Sequence, residues 1–318
     1  MHLVETMAYA GEKPWHGLGN KLTTLQPINV WKRQAGMDWM IEESEVRYIT
    51  GNHTVGAIHS FPEQKVLYRS DNKRPLAVVS KRFQVVQPEE VLEFYRDLTE
   101  YSGFELETAG VLKEGRKFWA LARTGQSATL KGRDQVNGYL LLATACDGSL
   151  ATTAQFTSVR VVCNNTLQIA LGDNRGAVKV PHRSEFNAEA VKQQLGITVA
   201  PWNRFVAKMK DLVACPVDPD SVDGLLRRML TYPGQPGQPP VVNEQAMRSV
   251  RALYDGGGRG AQLASSRGTA WGLLNSVTEY VDHHRRARSD DHRREAAWFG
   301  QGAQFKQRAW DKLVQLTA

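Results

Sequence analysis

Tyr139-Leu140-Leu141-Leu142-Ala143-Thr144-Ala145-Cys146-Asp147-Gly148-Ser149-Leu150-Ala151-Thr152-Thr153-Ala154-Gln155-Phe156-Thr157 is the stretch that decides the fold class of this chain. Tyr139 to Cys146 is an apolar run, and Asp147-Gly148 supplies residues that tolerate positive φ. Leu150 to Thr157 can therefore return antiparallel as the second arm of a hairpin. The same pattern precedes it: strands around Phe104 to Leu112 and Arg116 to Arg123 flank Lys113-Glu114-Gly115, which reads as a hairpin turn. Further upstream, Ala77 to Val86 is rich in β-branched and aromatic residues and reads as a strand. Gln87-Pro88-Glu89-Glu90 then starts a helix. Proline suits the first helical position because its missing N–H would be unpaired there, and the acids complement the positive end of the helix dipole. Val91, Leu92, Tyr95 and Leu98 form that helix's apolar stripe.

From Trp39 to about Val180 the signals are mostly short strands with helices between them. Ser158 to Gly172 has a strand-like composition but a helical period. Val159, Val162, Cys163, Thr166, Leu167 and Ala170 fall at i, i+3, i+4, i+7, i+8 and i+11, so a helix is predicted, capped by Ser158 and ended by Gly172. Its opposite face carries Arg160, Asn164 and Gln168. Beyond Ser184 the pattern is helical, over about Glu185 to Leu195, Trp202 to Val213, Pro219 to Leu230, Asn243 to Tyr254, Thr269 to Arg286 and Ala303 to Leu316. The proline-rich Tyr232 to Pro240 reads as a loop, and Asp255 to Gly260 as flexible by composition. The expectation is an α+β fold: an antiparallel sheet with hairpins and packed helices, followed by a mainly helical C-terminal region. The partition is 1–38 as an N-terminal arm and first helix, 39–183 as the α+β core domain, and 184–318 as the helical region.

The chain has 318 residues, 42% of them hydrophobic, enough for a substantial core, and a net charge of +7 that favours polyanionic partners. Its three cysteines, Cys146, Cys163 and Cys215, contain no C-x-x-C pair, so neither a zinc site nor a disulfide framework is suggested. There is no secretion signal and no run of about 18 apolar residues, which points to the bacterial cytoplasm.

Several strands interleave cations with aromatics. Lys81 shares a strand face with Phe83, and Lys117 with Trp119 and Arg123, so each face can pair with phosphates and stack bases, or else belong half to the core and half to solvent. The Arg160, Asn164 and Gln168 row suits phosphate and base-edge contacts, and equally suits an ordinary exposed face. Cys163 sits on the inferred apolar face, where a buried thiol is inert; a catalytic pairing with His182 is the minor reading. In the segment from His283 to Glu295, Arg285, Arg286 and Arg288 can neutralise a nucleic-acid backbone. A metal site built from Asp282, His283, His284, Asp290, Asp291 and His292 is disfavoured because adjacent histidines on a helix point about 100° apart. Asp282 and Arg286 make the better i,i+4 pair. Pro14-Trp15-His16-Gly17-Leu18-Gly19 reads as a docking arm or recognition loop, with Trp15 and His16 as subunit contacts. The chain contains no phosphate-binding G-x-x-x-x-G-K-[ST], no H-E-x-x-H and no G-x-S-x-G.

Gly268-Thr269-Ala270-Trp271-Gly272-Leu273-Leu274-Asn275-Ser276-Val277-Thr278-Glu279-Tyr280-Val281-Asp282-His283-His284-Arg285-Arg286-Ala287-Arg288 resembles a segment of the phage/plasmid-like protein family. Met7 to Gly19 and Val159 to Leu167 carry the same resemblance. It implies a bacteriophage or plasmid setting and transfers no catalytic residues. Together these readings lead us to expect a non-enzymatic protein of phage or plasmid recombination that binds and anneals single-stranded DNA as a homo-oligomer ring or filament, with no cofactor and no metal. Its DNA-contacting residues are expected to be Lys81, Arg82, Phe83, Lys117, Trp119, Arg160, Asn164, Arg285, Arg286 and Arg288. The alternatives are a host-interaction protein with no nucleic-acid role and a metal-dependent nuclease or hydrolase.

Overall fold

The computed structural model describes residues 4–11, 19–51, 56–160, 165–168, 177–195, 199–232 and 241–317. The elements run β1 (Val4–Ala10), β2 (Asn20–Leu22), α1 (Ile28–Gln34), β3 (Ile41–Gly51), β4 (Gly56–Arg69), β5 (Pro75–Ser80), α2 (Pro88–Glu93), α3 (Arg96–Tyr101), β6 (Glu105–Leu112), β7 (Lys117–Leu130), β8 (Asp134–Ala145), β9 (Thr152–Arg160), β10 (Asn165–Gln168) and β11 (Ala177–Val180). There follow α4 (Ala188–Leu195), α5 (Val199–Ala214), α6 (Val222–Leu230), β12 (Thr231–Tyr232), β13 (Val241–Val242), α7 (Glu244–Ala252), α8 (Ala270–Glu279), α9 (Asp290–Phe299) and α10 (Gln301–Val314). The fold is α+β as expected, with mostly antiparallel sheets in the first half and helices from α4 onward.

The main sheet has the order β10-β9-β8-β7-β6-β1-β2, with β11 also on β9. The hairpin read from Tyr139 to Thr157 is its centre: Leu140 opposes Phe156 and Leu142 opposes Ala154, and Gly148 turns the chain at φ +73°. The β6–β7 hairpin turns through Lys113, Glu114 and Gly115, all at positive φ. The segment read as an N-terminal arm enters this sheet, where β1 lies between β6 and β2 with Met7, Ala8 and Tyr9 buried. Trp15 and His16 lie outside the described residues.

Two sequence readings are corrected. Ser158, Val159 and Arg160 are not the start of a helix; they extend β9, opposite Gly138, Asn137 and Val136, and Asn165–Gln168 return as β10. The period of the segment is helical, but β8 already offers a ladder edge to these β-branched residues, and tertiary pairing outweighs local period. The strand read over Ala77–Val86 stops at Ser80, and Lys81 and Arg82 fall in a turn. Its partner β4 has Pro62, which cannot donate to the ladder, next to an irregularity at Glu45/Val46.

Strand alternation gives the main sheet two buried faces. Phe118, Ala120, Leu140 and Leu142 join the large core together with Trp31, Phe94, Trp202 and Trp271. Tyr95 from the α2–α3 region reaches into this core, its hydroxyl 2.8 Å from Ala120 O and 3.0 Å from Leu140 O. Trp119, Leu121, Tyr139 and Leu141 face the other way and pack with Trp298 and Phe299 of α9. Helices therefore cover both faces.

The apolar stripe read for α8 is only part of its packing, because every residue of α8 is buried. Its polar side chains bond back along the helix: Asn275 Nδ2 to Trp271 O (2.8 Å), Ser276 Oγ to Gly272 O (2.9 Å) and Thr278 Oγ1 to Asn275 O (2.9 Å). Trp271 Nε1 and Ser265 Oγ donate to the buried Asp134 carboxylate at 2.9 and 2.6 Å, fixing α8 to the start of β8. Gly272 is required by close approach, since a Cβ there would lie 1.9 Å from Ser266 O. The glycine-rich Asp255–Gly260 segment closes over the end of α8, where Arg259 N–H donates to the buried Glu279 carboxylate at 2.9 Å. No helix among the described residues is long and apolar enough to cross a membrane.

Candidate nucleic-acid interface

The cations cluster where α8 ends. After Glu279 the helix widens into a π-turn over Tyr280–His284 and stops at Arg285, which has φ −59° and ψ 128°. The sequence pairing of Asp282 with Arg286 assumes a continuous α-helix. The wider turn changes that register, and Asp282 instead accepts a 2.7 Å hydrogen bond from Lys306 Nζ of α10. Both side chains are buried, and burial pushes the Lys306 ammonium below its ordinary range, opposed by the Asp282 carboxylate. Arg285 Nη2 donates to Gln301 Oε1 at 3.1 Å, with its guanidinium 5.8 Å from the Phe305 ring centroid. Two polar contacts thus hold the turn against α10.

Arg285 Nη1 is buried and has no hydrogen-bond partner among the described residues. A pocket of ≈ 110 Å³ lies between this turn and the α9–α10 junction, lined by Arg285, Arg286 and Arg293 with Val281, Ala296 and Gly302. Arg286 and Arg288 are exposed. His284 Nε2 lies 3.6 Å from Glu279 Oε1. Among the described residues no group of three His, Cys, Asp or Glu stands close enough to hold a metal ion; the Asp290 and Asp291 side chains lie outside the description.

Lys117 and Trp119 share a strand face, as alternation requires, but α9 covers it and both are buried. Glu295 of α9 forms ion pairs with Lys117 and, at 2.9 Å, with Lys113. Arg123 on the same face is held by Glu107 at 2.7 Å. Burial raises the Glu295 pKa, but the hydrogen bonds from Lys117 and Lys113 outweigh it and hold the group below the usual carboxylate range. A depressed folded-state pKa contributes stability that is present above the unfolded value and lost as pH falls through the folded one. Glu295→Gln is therefore expected to lower the urea midpoint at pH 7 and to match the parent once the pH is below the folded-state value. An equal deficit at both pH values would contradict this.

Lys81 and Arg82 are exposed on the turn after β5, where the strand alternation that would set Lys81 beside Phe83 has ended. Phe83 is half-buried and stacks on His182, with ring centroids 4.3 Å apart. The His182 ring is engaged by backbone, its Nε2 2.9 Å from Leu150 O. Its suggested partner Cys163 lies outside the described residues, as does Asn164. Arg160 ends β9 in register with Asn165, so the row of Arg160, Asn164 and Gln168 on a helix face does not form. Cys146 is buried, and its thiol is pushed up to about 12 by desolvation and by Asp147, so it is not an activated nucleophile.

The structure thus brings Arg285 and Arg286 together and adds Arg293, which the sequence reading missed. The available signal was Ser289-Asp290-Asp291, an N-cap followed by first-turn acids. Ser289 does cap α9, its Oγ accepting from His292 N–H.

Residues 75–298 match the domain of unknown function DUF932. The chain belongs to the DUF932 family. The DUF932 segment opens at β5 and ends within α9, so it contains Arg285, Arg286 and Arg293 as well as the sheet strands that α9 covers. Gln301, Gly302 and Lys306, which brace the arginine turn, follow it in α10. No curated protein matches the chain.

Proposed function

We propose that this DUF932 protein binds single-stranded DNA through the arginines at the end of α8 and anneals complementary strands as a homo-oligomer, in the phage or plasmid recombination setting that its sequence resembles. The observation that carries this reading is the Arg285 guanidinium, half-buried and braced, with Nη1 unpaired among the described residues. A buried donor without a partner costs about 1–3 kcal/mol, which an anionic oxygen arriving from outside would offset. Arg286 and Arg288 extend the positive surface, and Lys81 and Arg82 offer a second exposed pair. Several such contacts along one strand give multivalent backbone binding that leaves bases exposed for pairing.

Self-association is supported by the β3–β4 ribbon. From Val46 to Phe61 it is paired only with itself among the described residues, leaving two outer edges. Ile49 and Ile58 stand opposite each other, 72% and 67% exposed. Tyr48 and His59 stack at 5.2 Å on the other face. An isolated two-stranded ribbon is marginal in water, and exposed apolar edges favour strand pairing. A second copy supplies a matching edge by symmetry.

The test is annealing of complementary oligonucleotides in the presence of a chelator and without nucleotide, together with sedimentation of the parent and of Ile49→Ser/Ile58→Ser. The parent is expected to anneal as a large species. The variant should sediment as a smaller species and lose annealing while still binding a short oligonucleotide. Unchanged assembly would remove the ribbon from the reading. Binding of a bacterial protein by an oligonucleotide-inactive parent would favour host interaction.

A further inference from the structure

Nucleic-acid backbone contacts are usually made on open surface, yet Arg285 Nη1 is buried in the wall of a pocket. The described lining of that pocket includes the guanidinium side chains of Arg285, Arg286 and Arg293. Its walls are preformed: the Asp282–Lys306 pair and the Arg285–Gln301 hydrogen bond fix the π-turn to α10. Gly302 brings the first turn of α10 to the pocket, where a Cβ would lie 2.7 Å from Ala296 O and push α9 and α10 apart.

We infer that this pocket takes a phosphate monoester, the terminal phosphate of a DNA strand, so that the protein distinguishes a phosphorylated strand end from strand interior. Size and charge favour this ligand. The pocket, at ≈ 110 Å³, has room for a tetrahedral oxyanion. An interior diester carries a single charge, and its chain must leave the pocket on both sides. A monoester carries about −1.5 to −2 at neutral pH and enters from one side, which matches a multi-arginine pocket bounded by two braced walls. The inference rests on the strand-binding reading above for the identity of the ligand's remainder, but its phosphate chemistry is testable separately.

The experiment has two arms. In the first, binding of a thymidine oligomer is compared with a 5′-phosphate, with a 3′-phosphate and with free hydroxyl ends. In the second, thermal stabilisation by thymidine 5′-monophosphate is compared with stabilisation by thymidine and by inorganic phosphate at matched ionic strength. One phosphorylated end is expected to bind about tenfold tighter than the hydroxyl form. Arg285→Gln should abolish that preference, and so should the more exposed Arg286→Gln in part, which guards against a folding defect in the first variant. If thymidine monophosphate stabilises the protein while no oligomer binds, the pocket stands and the strand-binding reading falls. If inorganic phosphate alone stabilises it, with no end preference, strand-end recognition is overturned. Equal binding of phosphorylated and hydroxyl forms in both arms overturns the inference and leaves strand binding intact.

Discussion

Lys306→Met is expected to destabilise the protein by about 3–5 kcal/mol at pH 7, because it removes the ammonium 2.7 Å from the buried Asp282 carboxylate. The Lys306 and Asp282 side chains are 4% and 7% exposed, so water cannot replace the lost partner without rearrangement. Asp282→Asn/Lys306→Met should recover most of the loss, since a buried ion pair and a neutral pair of similar volume differ far less than either does from a single buried charge. Urea unfolding of the parent, both single variants and the double variant closes the cycle. A loss under about 1 kcal/mol for Lys306→Met would show that the pair does not brace the turn. The effect reaches function as well: this contact holds the π-turn against α10, so Arg285 should lose its fixed position and oligonucleotide binding should weaken alongside stability.

Trp271→Ala should cost about 3–5 kcal/mol, the usual range for removing a buried large aromatic. Its indole is 3% exposed and also donates to the buried Asp134 carboxylate, as does Ser265 Oγ. Trp271→Phe separates packing from hydrogen bonding. It keeps most of the apolar contact and removes the Nε1 donor, for an expected loss of about 1–3 kcal/mol. The urea midpoint should fall in that order with an unchanged m-value. If Trp271→Phe matched the parent, the link between α8 and the start of β8 would rest on packing alone.

The hairpins were legible because two signals coincided, an apolar run on each side and a turn residue that accepts positive φ, as at Gly148 and at Lys113-Glu114-Gly115. The helix starting at Pro88 was legible for the same reason: proline and acids mark its first turn, and the Gln87 N–H donates to the Glu90 carboxylate at 2.6 Å. The segment after Ser158 misled because a local period cannot report that β8 already presents an edge. α9 was missed because its surface is crowded with charge, and its apolar residues, Trp298 and Phe299, come only at its end. That omission also explains Lys117 and Trp119. Strand alternation correctly put them on one face, but whether the face meets solvent depends on a helix nearly 180 residues downstream in sequence. The Asp282–Arg286 pairing failed for a smaller reason, a π-turn that no composition signal marks.

The central claim, that arginines at the end of α8 contact a single strand's backbone, is tested most directly by the salt dependence of oligonucleotide binding. The parent should bind a thymidine oligomer at low salt, with log K falling linearly against log salt. Arg285→Gln/Arg286→Gln should bind more weakly, with a slope shallower by about 1–2, because each phosphate contact on a single strand contributes about 0.7. No binding by the parent at low salt, or the same slope in parent and variant, would contradict it.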